Sequence, residues 1–187
     1  MSLNIDNPNK GNLLVAEPFL GDSNFERTVV LLSEHNEQGS IGFVINKPLE
    51  IKLNDIAIGF PAFDAVIHHG GPVQEDSLFF VHNKGTLIPG SDHISGDLYW
   101  GGELEALKEM IKCGLITSDN IRFYLGYSGW GTGQLTHEIE EKSWLVIGDT
   151  AIDIFADNPA DMWGKILMDA GGNYPLWANS PADPNLN

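Results

Sequence analysis

The chain carries a single cysteine, Cys113, so no disulfide can close within it. Cations are scarce as well, with 10 Lys and Arg against 26 Asp and Glu, for a formal net charge of −16. That excess sets up a field repelling phosphate backbones and anionic lipid. The few Lys and Arg are scattered and form no stripe that would overcome it, so direct nucleic-acid binding is not expected. No apolar run approaches the ~20 residues of a membrane-spanning helix. No basic segment followed by an apolar signal core opens the chain. Together with the lone thiol, this makes the cytoplasm the expected location and a membrane an unexpected partner. Zinc-type Cys and His spacings are missing too, and no metal or cofactor is expected.

Glycine is abundant, at 21 residues, and 42% of the 187 residues are hydrophobic. A chain of this length can bury roughly 70% of the surface its unfolded form exposes, enough for one core without a staple. The many glycines favour strands and turns over long helices. No repeat, low-complexity insertion or linker divides the chain, so a single domain is expected over residues 11–178, with flexible termini at 1–10 and 179–187.

Along the chain, "GNLLVAEPFL" supplies the first buried segment. "RTVVLLSEH" is a continuous apolar strand covered on both faces, and "GSIGFVINKPL" is its hairpin partner across the turn "EHNEQGS". "IKLNDIAI" fits a strand or a short helix, "AVIHHGGPV" a strand running into a glycine turn, and "DSLFFVHN" another strand. In "GELEALKEMIKCG", Leu104, Leu107 and Ile111 recur at helical spacing and Gly114 stands where a C-terminal cap belongs. "NIRFYLGY" returns to strand, a glycine-rich loop follows, "QLTHEIEEK" continues as a short helix, and "SWLVI" is a strand. Asn158 and Pro159 start a last helix, with Trp163, Ile166, Leu167 and Ala170 on one face and Gly171 and Gly172 ending it. The fold class is α+β, a single domain with a bent, largely antiparallel sheet flanked by helices.

Chemistry is sought first in "GYSGWGTGQL", Gly126 to Leu135. Gly126, Ser128 and Trp130 begin like the Gly-x-Ser-x-Gly elbow of hydrolases, but Trp130 occupies the second glycine position and His137 is the one downstream histidine. A glycine-rich turn leading into a helix can hold a small anion on backbone N–H groups, although neither the dinucleotide nor the Walker pattern is present. The third reading is architectural. Small residues let the backbone pass close beneath Trp130 while Gln134 bonds the loop, and Gly129→Val then disrupts folding before any chemistry. Asn46 and Lys47, at the exit of "GFVINKP", can present donors beside the "HGGPV" turn. The candidate ligand-binding residues are therefore Asn46, Lys47, Ser128, Trp130 and Gln134, with no catalytic residue assigned.

Other clusters are weaker. "HEIEE" lacks the second histidine of the zinc-protease helix, since position 141 is Glu. His68 and His69 point to opposite faces of a strand, and His35 and His82 can join a site through the fold alone. Cys113, beside Lys112, reads as a half-buried packing residue. Glu103 with Glu105, and Glu140 with Glu141, read as solvated helix faces.

Taken in order, "GNLLVAEPFL" with Phe25, "TVVLLSEH", "GFVINKP", "GGPV", "FYLGYSGWGTGQL" and "EKSWL" resemble the AlgH/YqgE family of bacterial proteins, from Gly11 to about Gly171. The resemblance implies a compact α+β domain with a strongly bent, largely antiparallel sheet. It implies little about function, because the family has no established enzymatic activity and its label as a transcriptional regulator is an inference from genetic context. The sequence departs at Thr136, where the family often has an acidic residue. Two function classes follow. One is a non-enzymatic module that binds a small ligand or a protein partner. The other is an enzyme acting on a small anionic or acyl substrate near Gly126–Leu135. A regulator that contacts DNA is a third, weaker reading.

Overall fold

The computed structural model describes residues 7–148, 152–156 and 158–181. Strand β1 (Leu13–Ala16) precedes a hairpin of β2 (Val29–Asn36) and β3 (Gly39–Val44). Next come β4 (Pro48–Lys52), the one-turn helix α1 (Leu53–Ile56), β5 (Val66–His69) and β6 (Val73–His82). A second hairpin, β7 (Asp92–Ser95) and β8 (Leu98–Trp100), leads through α2 (Leu104–Lys112) to the long β9 (Ile121–Gly131). The chain ends with α3 (Gln134–Glu140), β10 (Trp144–Ile147), α4 (Pro159–Ala170) and α5 (Tyr174–Ala178).

The strands form one sheet in the order β10-β1-β2-β3-β9-β6-β8-β7, with β5 paired to β9 and β4 to β5. Every pairing is antiparallel except that of β5 with β9. Register shifts interrupt β2–β3, β4–β5, β6–β9 and β7–β8, and such bulges bend and twist a sheet. The single α+β domain anticipated from the sequence is what the chain forms.

Alternation along β2 explains its unbroken apolar run. Val29 and Leu31 join a cluster with Phe43, Ile45 and Tyr124 under Met162, Trp163, Ile166 and Leu167 of α4. Val30 and Leu32 point the other way, into a cluster with Trp130, Leu135 and Trp144. A third cluster joins Leu53, Ile67, Phe80 and Phe123 to Leu107 and Ile111 of α2. Each fully buried aliphatic or aromatic side chain here contributes about 1.5–3 kcal/mol relative to exposure.

The last helix starts as its sequence suggests, with Asn158 Oδ1 accepting from the Ala160 amide at 3.3 Å, and Trp163 Nε1 donates to the Ala16 carbonyl at 2.9 Å to tie α4 to β1. Helix α2 departs in two details. Leu104 is exposed, and so is Cys113, because two residues beyond the buried Ile111 the helix has turned its side chains toward solvent. Of the segments expected to be flexible, 1–6 and 182–187 lie outside the described residues. Next to them, Lys10 Nζ donates to the His93 carbonyl at 2.8 Å and the Ser180 carbonyl accepts from Arg27 Nη2 at 2.6 Å. The β7–β8 hairpin and α5 were not foreseen.

Candidate functional site

The stretch Gly126–Gly131 is strand, where a loop was expected. Strand β9 pairs with β6 through residues 121–125 and again at Tyr127, with β5 through Phe123–Leu125, and with β3 through Ser128–Gly131. Between these halves Gly126 has φ +70, which breaks the alternation, so Tyr124 and Tyr127, three apart, both pack on the same cluster. There the chain leaving β5 crosses the β9 backbone to reach β6 on its other side. A Cβ at Gly126 would lie 2.3 Å from the Gly71 carbonyl oxygen, one at Gly70 would lie 2.2 Å from the Gly126 oxygen, and one at Gly71 would lie 2.3 Å from the Tyr127 carbonyl carbon. Two backbones in contact leave no room for side chains. Gly129 differs. It is exposed, and a Cβ there meets nothing nearer than the Tyr127 ring at 3.3 Å. The folding constraint expected at Gly129 therefore belongs to Gly126 and to the Gly70–Gly71 pair.

The five candidate side chains do not converge on one hollow. Ser128 is fully buried and its Oγ donates to the Gly70 carbonyl at 3.1 Å, bracing the crossing. Asn46 is buried, accepting from the Val29 amide at 2.8 Å and donating to the Arg27 carbonyl at 2.9 Å. Lys47 is half-buried, and burial lowers its pKa, opposed by the Glu26 charge and assisted by Arg27. Trp130 is 5% exposed and donates Nε1 to Glu138 Oε2 at 2.8 Å. Gln134 accepts from the Gly131 amide at 3.0 Å and donates to Glu138 Oε1 at 2.9 Å, which makes it the brace of the β9–α3 corner. Glu138 escaped sequence reasoning. Its carboxylate also accepts Trp144 Nε1 at 2.8 Å, holding two indoles that pack edge to face at 5.9 Å with Phe25 against both. Its signal was the (i, i+4) spacing from Gln134 on a helix face, beside two tryptophans near in sequence.

Concavity appears at the C-terminal end of β9. The register pairs Gly39 with Gly131 and Ser40 with Trp130, which brings the β2–β3 turn against the β9–α3 corner. Between them lies a cleft of about 410 Å³ lined by His35, Ser40, Gly131, Thr132, Leu135 and Thr136 among others. Its volume is within the ~300–1,000 Å³ of small-molecule sites. Thr132 Oγ1 donates to the Gln38 carbonyl at 3.3 Å across the mouth, and His35 Nδ1 lies 2.7 Å from Ser40 Oγ. Glu37 is the one carboxylate in the lining, and Thr136 places a hydroxyl there. A second hollow of about 360 Å³ shares His35 and Asn36 and extends to Lys10, Asp92, His93 and Trp100.

The histidines are otherwise separate. His82 is fully buried, its Nε2 lies 2.9 Å from Ser91 Oγ, and burial lowers its pKa. His137 is near Glu141 at 3.4 Å on the exposed face of α3. No group of three His, Cys, Asp or Glu among the described residues could hold a metal ion, and no helix among them is long and apolar enough to cross a membrane.

Comparison with known proteins fits this geometry. A family described as AlgH-like matches residues 13–175. A UPF0301 protein of Cytophaga hutchinsonii is 46% identical over 179 residues, covering 95% of this chain and 98% of the relative, and one of Chlorobium limicola is 46% identical over 177 residues, covering 95% of each. Among solved structures, protein DIP2367 of Corynebacterium diphtheriae superposes with a TM-score of 0.78 at 25% identity, covering 93% of each chain. The AlgH protein of Pseudomonas aeruginosa superposes with a TM-score of 0.71 at 29% identity, covering 94% of this chain and 96% of that one. With the glycine crossing, the tryptophan and glutamate corner and the cleft beside it carried on that shared fold, the chain belongs to the AlgH-like family.

Proposed function

We propose that the chain is a non-enzymatic cytoplasmic binding module of a regulatory kind, whose small polar ligand sits in the cleft between the β2–β3 turn and the β9–α3 corner. The observation that carries this reading is the cleft itself, a hollow of about 410 Å³ braced from below by Gln134 and Glu138 and lined by hydroxyls, an imidazole and glycine backbone. Rigid walls with few charges suit hydrogen-bond recognition of a compact polar molecule. The candidates Trp130 and Gln134 enter as supports of that site, whereas Ser128 braces the glycine crossing and Asn46 and Lys47 lie away from the lining. The acid excess of the chain argues against nucleic acid as the partner.

One observation favours the enzyme reading, on an acyl substrate. His35 Nδ1 and Ser40 Oγ, 2.7 Å apart, have the spacing of a base and a nucleophile. No carboxylate is hydrogen-bonded to His35 among the described residues to orient it, which is why binding is preferred. A serine-reactive fluorophosphonate that labels the wild type but not Ser40→Ala would reverse that preference.

The binding reading is tested by thermal-shift screening against nucleotides, sugar phosphates, acyl compounds and common metabolites, since a ligand of the native state raises the melting temperature by mass action. A hit whose shift disappears in Ser40→Ala and Thr136→Val but persists in Ser128→Ala supports the cleft. A hit that survives both cleft variants removes it, as does the absence of any hit across the panel.

A further inference from the structure

Four side chains on one face of the sheet hold buried polar atoms without a hydrogen-bond partner among the described residues: both ring nitrogens of His68, the Tyr124 hydroxyl, Trp100 Nε1 and Arg122 Nη1. Strand pairing gathers them onto two neighbouring rungs, one running Trp100, Val81, Arg122 and the next Phe79, Tyr124, His68. Arg122 and Tyr124 alternate along β9 and so share a face. His68 is 5% exposed and Tyr124 fully buried, with their ring centroids 5.8 Å apart. Phe43 joins the group, its ring 5.2 Å from Tyr124 and 5.8 Å from Trp100.

Native proteins partner nearly all buried polar side chains, so four such groups on two rungs call for a specific occupant. All four can donate a hydrogen bond. Arg122 brings a positive charge that no carboxylate among the described residues pairs, with its other terminal nitrogen donating to the Phe155 carbonyl at 3.2 Å. Around the donors stand the rings of Phe43, Phe79 and Trp100. Arg122 is half-buried, so the group reaches solvent at its edge.

We propose that this face binds a small carboxylate, the oxyanion accepting from Arg122 Nη1, the Tyr124 hydroxyl and a ring N–H of His68, with its apolar body against Phe43, Phe79 and Trp100. One guanidinium supplies one charge, which matches a monoanion better than a phosphate dianion. Burial, and then the Arg122 charge, hold the His68 pKa at about 4, so the ring is neutral and adds a donor without a second charge. The site is distinct from the cleft, since Phe43 and Ser40 lie on opposite faces of β3.

The experiment is a titration of the full chain with benzoate, followed by tryptophan fluorescence and by the Trp100 indole resonance, in the wild type, Tyr124→Phe and Arg122→Gln. Tyr124→Phe keeps the ring and removes the unpartnered hydroxyl alone, and its melting temperature checks that it folds. The wild type is expected to saturate, with affinity about tenfold or more weaker in each variant. Absence of saturation, or unchanged affinity in either variant, overturns the proposal. Tighter binding of inorganic phosphate than of benzoate overturns the monoanion assignment.

Discussion

Replacing Gly126 by alanine tests the crossing directly. The residue has φ +70, a left-handed conformation that costs an alanine roughly 1–2 kcal/mol. Its new Cβ would lie 2.3 Å from the Gly71 oxygen and 3.0 Å from the Val73 oxygen. Both neighbours are backbone, so neither can rotate away, and overpacking of this kind adds about 1–3 kcal/mol. The expected loss is therefore about 2–5 kcal/mol, a large share of the ~5–15 kcal/mol by which a domain is stable. Gly129→Ala, three residues on in the same strand, is the control. Its φ is not positive and its Cβ meets the edge of the Tyr127 ring at 3.3 Å, so a cost within about 0.5 kcal/mol of zero is expected. Urea unfolding of the two variants beside the wild type, with the slopes compared, reads the difference. Equal costs, or a Gly126→Ala loss below about 1 kcal/mol, would refute the crossing as the reason for this glycine.

Glu138→Ala strips the acceptor from two indole N–H groups and should cost about 2–4 kcal/mol by urea unfolding, while Glu138→Gln, which retains an acceptor oxygen, should cost clearly less. Ser128→Ala removes one bond, to the Gly70 carbonyl, and should lower stability by about 1 kcal/mol without altering the affinity of any cleft ligand. His68 gives a pH signature. Its folded pKa of about 4 is below the ordinary 6.5, so as pH falls the unfolded chain takes the proton first. The stability it leaves intact above pH 6.5 then declines between 6.5 and about 4, by about 3 kcal/mol in all. Stability curves of wild type and His68→Met that run parallel over that window would refute the assignment.

Periodicity made some of this legible and long-range geometry hid the rest. The β2–β3 hairpin, α2 and α4 announce themselves because alternation, helical spacing and caps are local signals. Strand β9 was misread as a loop past Tyr127 because the ties of its glycines are distant in sequence: Gly126 answers to Gly70 and Gly71, more than fifty positions earlier in the chain, and Gly129 and Gly131 pair with Ile41 and Gly39 of β3. Sequence windows do not register two backbones that cross. For the same reason the cleft was not found, since His35 and Ser40 meet Thr132 and Thr136 only once β3 has paired with β9. The bond of Gln134 to its own loop was one of the readings open for that residue, whereas Glu138 went unnoticed because it meets Trp130 and Trp144 only once the fold brings them together.

On the reading proposed above, the glycine and tryptophan stretch is architecture and the cleft at its end receives the ligand. Amide chemical-shift mapping with the strongest hit of the metabolite screen separates this from a ligand site within the stretch itself. Saturable shifts clustered at residues 35–40 and 131–136 are expected, with Gly126 and Ser128 nearly unmoved. Shifts centred on Gly126–Ser128 and Asn46–Lys47, with the cleft silent, would contradict it.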